Sequence, residues 1–465
     1  MDVSRFNILG LPVELIHHIL QFCHPWDVAA FSKTGQTAFT LVYLSDDQYL
    51  WRHLFLNYGF DPPYTSPYIS LEGNVDWKRE LKTRMKAELK LFGGPVTEDE
   101  RIESFKTLFT MIENSAFAVF HKGSSDNVLW LKRILRSTLF LSNIYSVDIV
   151  PVTGDQAPIN SLYSQLYPRI RTYFTLALDS KRDRPQLQQF LSTRNKSRAF
   201  VYDLRNYNEK NHWGPFMPDG SVNWIHIEHM ARVVWANIRE LPGSWALTRP
   251  PSFIDAPRVT NTSESSQGDW AGVEGTWRRY VCFMDYRHLT RLKYSAQAEG
   301  PYNPQFFSDP GFREATRLIE VKLSVISRSD LRFHKDLLNA LPSYSQASKS
   351  ASKSYQSCQQ DSMASYPPIF FAGLSKGITG NEATVEGCVV MGEDNVPRWT
   401  FLVQTSMYES SPQWVSTGAQ IGGIRSAMGV IGTWTSAAHD VDDPAGPFWL
   451  WKVDAGSPSH LMEYT

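Results

Sequence analysis

The 465-residue chain has few cysteines, almost no net charge and no long apolar run, and each shortage removes a class of protein. Cys23, Cys282, Cys358 and Cys388 lie far apart, with no CxxC and no histidines at zinc spacing. Neither a disulfide framework nor a metal knuckle is legible, and a reducing compartment, cytoplasmic or nuclear, is expected. Lys+Arg 46 against Asp+Glu 47 leaves a net charge of -1. That balance lacks the electrostatic footprint of a nucleic-acid or anionic-membrane binder, so neither is expected as a partner. The first apolar stretch has no basic segment before it and is broken by Pro12, Glu14, His17 and His18, unlike a secretory leader. No uncharged stretch is long enough to span a bilayer. Catalytic signatures are missing too: there is no GxxxxGK[ST], no GxGxxG after a strand and no GxSxG elbow. No catalytic residue, metal or cofactor can be assigned, and a binding protein rather than an enzyme is expected.

Aromatic residues, by contrast, make up 13% of the chain, with Trp 15 and Tyr 20, a content suited to β-rich cores and interfaces. The length exceeds what one hydrophobic core serves, so two or three domains are expected.

In "LGLPVELIHHILQFC" the residues Leu15, Ile16, Ile19, Leu20 and Cys23 recur at helical spacing, with Glu14, His17, His18 and Gln21 on the other side. Pro12 suits a first helical turn, where a missing N–H costs nothing. Pro25 is expected to stop this helix and Asp27 to cap a second one, which packs Val28, Phe31, Ala38, Phe39 and Val42 back onto the first. A third helix presents Tyr49, Leu50, Trp51 and Leu54. Three helices in so short a span make a core that needs a partner surface. His17 and His18, being adjacent, point in different directions and are expected to face solvent rather than hold a metal.

Leu11-Pro12, Glu14, Leu15, Ile19, Leu20, the Asp27 helix and Leu50-Trp51-Arg52 together resemble the F-box, over roughly residues 8 to 56. The resemblance implies a three-helix module that packs on a Skp-type adaptor and through it on a cullin scaffold. The implied adaptor-binding residues are Leu11, Pro12, Glu14, Leu15, Ile19, Leu20, Leu50 and Trp51. Gly35 and Gln36 depart from the family pattern, which implies a looser second helix. The chain would then be the substrate receptor of a ubiquitin ligase; the alternatives are an adaptor outside ubiquitination and a lipocalin-like small-ligand binder.

Residues 59–268 read as a mixed, mainly helical connecting region. "VDWKRELKTRMKAELKLF", "EDERIESFKTLFTMIENSAFAVF" and "NVLWLKRILRSTLFLSNI" have helical character, "SRAFVYDLRNY" alternates like a strand, and "VNWIHIEHMARVVWANIRELPG" is helical. The region is similar to the middle part of fungal F-box proteins. His226, Glu228 and His229 are expected on the polar flank of that last helix, since HExxH is absent.

From residue 269 the pattern changes to period two. "EGTWRRYVCFMDY", "RLIEVKLSVI", "PPIFFAGLS", "ATVEGCVVM", "PRWTFLVQTSM", "PQWVSTGAQIGG", "MGVIGTWTS" and "GPFWLWKV" are eight strand candidates separated by turn residues. A closed antiparallel barrel is favoured over a sandwich, and Gly275-Thr276-Trp277 is similar to the Gly-x-Trp of lipocalin-like barrels. The Ser/Gln/Lys-rich stretch near 343–365 has almost nothing to bury and reads as a disordered insertion. The fold class is therefore multidomain α+β: an F-box-like domain over 1–58, the connecting region, and a β-barrel-like domain over 269–465.

Small barrels point alternate side chains inward, so a protein target would be read by a few polar and aromatic groups near the mouth. Arg279 is in phase with Trp277, Val281 and Phe283, and Gln420 with Trp414, while Arg425 follows Gly422-Gly423. An arginine among apolar neighbours needs an intramolecular partner, such as Asp285 or Glu386, or awaits a carboxylate or phosphorylated ligand. With Trp399, Trp414 and Trp434, which could equally be core, these three residues form the candidate substrate-binding set.

Overall fold

The computed structural model describes residues 8–45, 48–62, 75–93, 96–115, 125–146, 162–178, 181–241, 248–255, 268–295, 302–333, 335–337, 366–377, 381–405, 411–440, 443–453 and 463–464. The stretch near 343–365 read as an insertion lies outside them. The chain divides into two compact units, Met1–Phe140 and Leu141–Thr465, so the sequence boundaries at 58 and 268 fall inside units.

In the first unit the F-box-like stretch holds four helices instead of three: α1 (Val13–Leu20), α2 (Pro25–Ser32), α3 (Gln36–Tyr43) and α4 (Tyr49–Tyr58). Pro25 opens α2 at its first turn, and the cap is His24, whose Nδ1 accepts from the Trp26 amide at 3.2 Å, in place of Asp27. The expected second helix is divided in two, α2 ending at Ser32 and Gly35 standing as the N-cap residue of α3. Ile16 and Leu20 of α1 are buried, along with Val28, Ala38, Val42, Leu50, Trp51, Leu54 and Phe55. His17 is buried as well, contrary to expectation, because its Nε2 meets the Leu41 carbonyl at 2.9 Å.

This core continues into α5 (Trp77–Phe92), α6 (Glu98–Asn114) and α7 (Asp126–Ile134). Thr97 and Glu100 form a reciprocal capping box at the start of α6. Arg84 lies 4.5 Å above the Phe55 ring, and its Nη1 donates to Asn127 Oδ1 at 3.2 Å. Asp61 accepts the amides of Asp126 at 2.9 Å and Asn127 at 3.2 Å, which ties α7 to the segment after α4. The unit boundary falls within α8 (Thr138–Ser146).

The second unit contains α9 (Leu162–Thr175), α10 (Arg184–Ser192), α11 (Arg194–Val201) and α12 (Trp224–Glu240), followed by the barrel. The stretch expected as a strand over 197–207 forms the end of α11 and the turns after it, because Ala199 and Tyr202 pack into a cluster with Met284, Leu292 and Phe307. Arg198 Nη2 fixes this helix to Glu314 at 2.6 Å. Helix α12 is buried on nearly every side and packs along the outside of the barrel. His226, Glu228 and His229 are therefore not a solvated flank. Glu228 is gripped by Arg171 through Nε at 2.6 Å and Nη2 at 2.8 Å, and it also pairs with Arg232. His226 Nε2 lies 3.2 Å from the Tyr207 hydroxyl and His229 Nδ1 3.0 Å from the Ser197 hydroxyl.

All eight strand candidates form strands: β1 (Gly275–Met284), β2 (Glu314–Ile326), β3 (Ile369–Lys376), β4 (Glu382–Met391), β5 (Pro397–Gln404), β6 (Trp414–Gln420), β7 (Val430–Ser436) and β8 (Ala445–Val453). Each pairs antiparallel with the next, and β1 pairs with both β2 and β8, which closes the barrel without a free edge. The short β9 (Glu463–Tyr464) adds to β2. Helix α13 (Tyr286–Ser295) interrupts the meander between β1 and β2. Gly418 and Gly432 face each other across β6 and β7, and a Cβ on Gly432 would stand 2.1 Å from the Thr417 carbonyl, so the two backbones meet where no side chain fits.

Candidate functional site

Two features stand out among the described residues, one in each unit. The first is on α1. Positions 15 and 19 fall on one stripe, i and i+4, with Phe22 in the turn just after the helix, and positions 16 and 20 on the neighbouring stripe. Ile16 and Leu20 fill the core, at 1% and 4% exposure, whereas Leu15 is 50%, Ile19 43% and Phe22 73% exposed. Among the described residues, eight of the fourteen exposed large hydrophobics lie between Val13 and Tyr49, a density that scattered surface residues do not reach. The structure divides the eight residues named for adaptor binding. Pro12, Glu14, Leu15 and Ile19 are exposed and Leu11 half-buried, while Leu20, Leu50 and Trp51 lie inside. Phe22, Trp26, Phe39, Leu44 and Tyr49 join the exposed set without having been named. Two apolar stripes in the first helical stretch were the signal for Phe22; the other four lie on or beside α2, α3 and α4.

The second feature is the barrel interior. One end is closed: Trp277 Nε1 donates to the Val273 carbonyl at 2.8 Å, Trp399 Nε1 to Gln420 Oε1 at 3.0 Å, and Gln420 Nε2 to the Ala271 carbonyl at 3.3 Å. The Trp277 and Trp399 rings meet edge to face at 5.1 Å. Residues 269–274 lie over this end, held by Asp269, which accepts the Val273 and Glu274 amides at 2.8 and 3.0 Å. Trp399 and Gln420 thus belong to the closure. Arg425 is on the same side, its side chain against Gly272, and lines no part of the cavity.

Above the closure is a cavity of about 830 Å³ lined by strands of the barrel, with Arg279, Phe401 and Ser416 among its walls and Tyr286, Glu382, Trp414, Trp434 and Pro444 towards the open end. Trp434, at the end of Gly432-Thr433-Trp434, stands at this mouth, where its Nε1 donates to the Cys282 carbonyl at 3.0 Å and its ring meets Trp414 at 5.3 Å. Of the six residues named for substrate binding, Arg279, Trp414 and Trp434 line the cavity and the other three do not.

Arg279 is 6% exposed and carries its charge into this apolar space. Its Nη2 donates to Ser416 Oγ at 2.7 Å, and the guanidinium stands 4.4 Å from the Phe448 ring centre and 5.0 Å from that of Phe401. Its Nε is buried without a hydrogen-bond partner. The carboxylates considered as its counter-ions are engaged elsewhere: Asp285 with Arg287 at 2.9 Å, and Glu386 with Arg332 Nε at 3.3 Å and the Arg332 and Phe333 amides at 2.9 Å. Burial draws the Arg279 guanidinium down to about 9, still charged at neutral pH. Burial also pushes the Cys282 and Cys388 thiols up to about 12, so neither is a thiolate nucleophile. Among the described residues no group of His, Cys, Asp and Glu is arranged to hold a metal, and no helix is long and apolar enough to cross a membrane. Ser416, in phase with Trp414 and Gln420 in "WVSTGAQ", and Arg317, in phase with Ile319 and Val321 in "RLIEVKLSVI", are cavity polar groups that alternation marked without their being named.

Fold and cavity together define a helical unit joined to a closed eight-stranded antiparallel barrel with an internal binding space. Comparison with protein-family models, with curated proteins and with solved structures finds no match.

Proposed function

We propose that the chain is the non-catalytic substrate receptor of a Skp-cullin-type ubiquitin ligase, with its helical unit docked on a Skp-type adaptor and its barrel offering a protein target to the transferred ubiquitin. The observation that carries this reading is the stripe of Leu15 and Ile19, with Phe22 just after it, exposed on a helix whose other apolar stripe is already the core. An apolar surface of that kind suits a permanent protein partner. The resemblance of residues 8–56 to the F-box supplies the partner's identity. Leu11, Pro12, Glu14, Leu15 and Ile19 would touch the adaptor, and Leu20, Leu50 and Trp51 would hold the helices that present them. Such a receptor contributes proximity and needs no reactive group of its own, in keeping with thiols held protonated by burial. It would work in the cytosol or nucleus, and its Gly-x-Trp barrel would be lipocalin-like in form.

The test is direct binding of the full chain to a purified Skp-type adaptor. Replacing Leu15 by Ala removes an anchor and costs ~2 kcal/mol, about thirtyfold in affinity, if it is a hot spot. Unchanged binding of the Leu15→Glu, Ile19→Glu double variant would refute the docking face.

A further inference from the structure

We propose that the barrel cavity binds an organic carboxylate with an apolar body, its head group paired with Arg279 and Ser416 at the inner end and its body extending towards the mouth. This goes beyond the receptor reading and rests on the barrel alone. A guanidinium that lines a cavity of about 830 Å³ and has an unpartnered, buried Nε is a donor set waiting for an acceptor. Two aromatic faces and one hydroxyl attract a cation but do not neutralise it, and among the described residues no carboxylate pairs with it. A carboxylate accepts two parallel bonds from such a fork, and Ser416 Oγ, 2.7 Å from Nη2, lies within reach of the same head group.

The other charged groups of the cavity bear on the orientation. Arg317 of β2, opposite Val281, also lines the cavity, with its guanidinium 4.6 Å from the Phe283 ring centre. Asp285 and Glu382 belong to the wall at the open end, each already paired, with Arg287 and with Lys376. An anionic head is thus drawn to Arg279, whose Nε is unpartnered, while the carboxylates at the mouth are already paired. The planar fork of that guanidinium matches a carboxylate. Between head and mouth the walls are Val281, Phe283, Val321, Phe401 and Val403, which offer dispersion contacts and no hydrogen bonds from their side chains.

Isothermal titration of the full chain with dodecanoate and with 1-dodecanol, below their aggregation concentrations, tests this. The expected result is one dodecanoate per chain, bound at least about tenfold more tightly than the alcohol, the margin of one charge-assisted hydrogen bond. Arg279→Met should remove that margin, bringing dodecanoate affinity down to that of the alcohol, and Ser416→Ala should weaken dodecanoate binding less. Equal affinities for acid and alcohol, no dodecanoate binding, or an Arg279→Met variant that keeps the preference would each overturn the proposal. Should Arg279→Met fail to fold, the acid–alcohol comparison on the native chain and the Ser416→Ala variant still decide. Loss of adaptor binding in the Leu15→Glu, Ile19→Glu variant with dodecanoate binding intact would show the two readings to be separate.

Discussion

Replacing Arg279 by Met should make the barrel more stable. The guanidinium is 6% exposed, and taking such an ion out of water costs several kcal/mol even after the protein relaxes. Against this stand one charge-assisted hydrogen bond to Ser416, worth ~1.5–3 kcal/mol, and contacts with Phe401 and Phe448, worth ~0.5–2 kcal/mol each. No ion pair adds to that sum among the described residues. Methionine fills much of the same space, packs on both rings and needs no partner. Removing the charge leaves the Ser416 hydroxyl short of one bond, a loss of ~1 kcal/mol. The net expectation is a gain of about 1–2 kcal/mol, a value within the range seen when buried ions give way to apolar residues. Chemical denaturation followed by near-ultraviolet circular dichroism would read it, because Trp277, Trp399, Trp449 and Trp451 are buried in the barrel strands. Destabilisation by ~2 kcal/mol or more would refute the reasoning, for it would mean that the charge is well compensated in the empty barrel.

The remaining expectations concern the helical unit and the buried polar cluster on α12. Ile16→Ala should cost ~2–4 kcal/mol of stability in the first unit, whereas Leu15→Ala should stay within ~0.5 kcal/mol, as urea titrations of the two variants would show. In the second unit, burial lowers the groups of His226 and His229 from 6.5 to about 3, so both stay neutral when folded and take up protons on unfolding. The unfolded state binds more protons below 6.5, and stability should fall with acid from there to about 3, by up to ~1.4 kcal/mol per pH unit for each histidine. His226→Gln should flatten that slope, and an unchanged pH profile between 6.5 and 5 would count against it. Burial alone would raise the Glu228 carboxyl, but Arg232 and Arg171 outweigh it and hold the group at about 2, so its stabilisation is present above 4.5 and lost as pH falls towards 2. Glu228→Gln, which strands two arginines, should cost ~3 kcal/mol at pH 7 and less at pH 3.

Much of the barrel was legible because a closed sheet enforces period two: every inward residue of β1 and β6 could be counted from Trp277 or Trp414. The same counting placed Arg279 inside and posed the question of its partner. It did not weigh Arg287, two residues from Asp285, as that carboxylate's partner, and it could not see that Glu386 was spoken for by Arg332, a residue that only the folded chain brings beside it. Helix α12 misled for a related reason. Its polar residues mark an exposed flank in an isolated amphipathic helix, yet here both sides are covered, and Glu228 is tolerated inside because Arg171 reaches it from α9. In α11 the β-favouring Phe200, Val201 and Tyr202 were overruled by packing around Tyr202 and by the ion pair from Arg198 to Glu314. On α1, periodicity found the apolar residues but merged two stripes into one face, and hid the distinction between Ile16, which builds the core, and Leu15, which is left for a partner.

The central claim is that α1 serves another protein as well as its own core, and co-purification from cells tests it most directly. The full chain should bring down a Skp-type adaptor and a cullin together with its target. The Leu15→Glu, Ile19→Glu variant, folded to the same stability, should keep the target and lose both. Recovery of neither adaptor nor cullin with the native chain, or their equal recovery with the variant, would contradict the account.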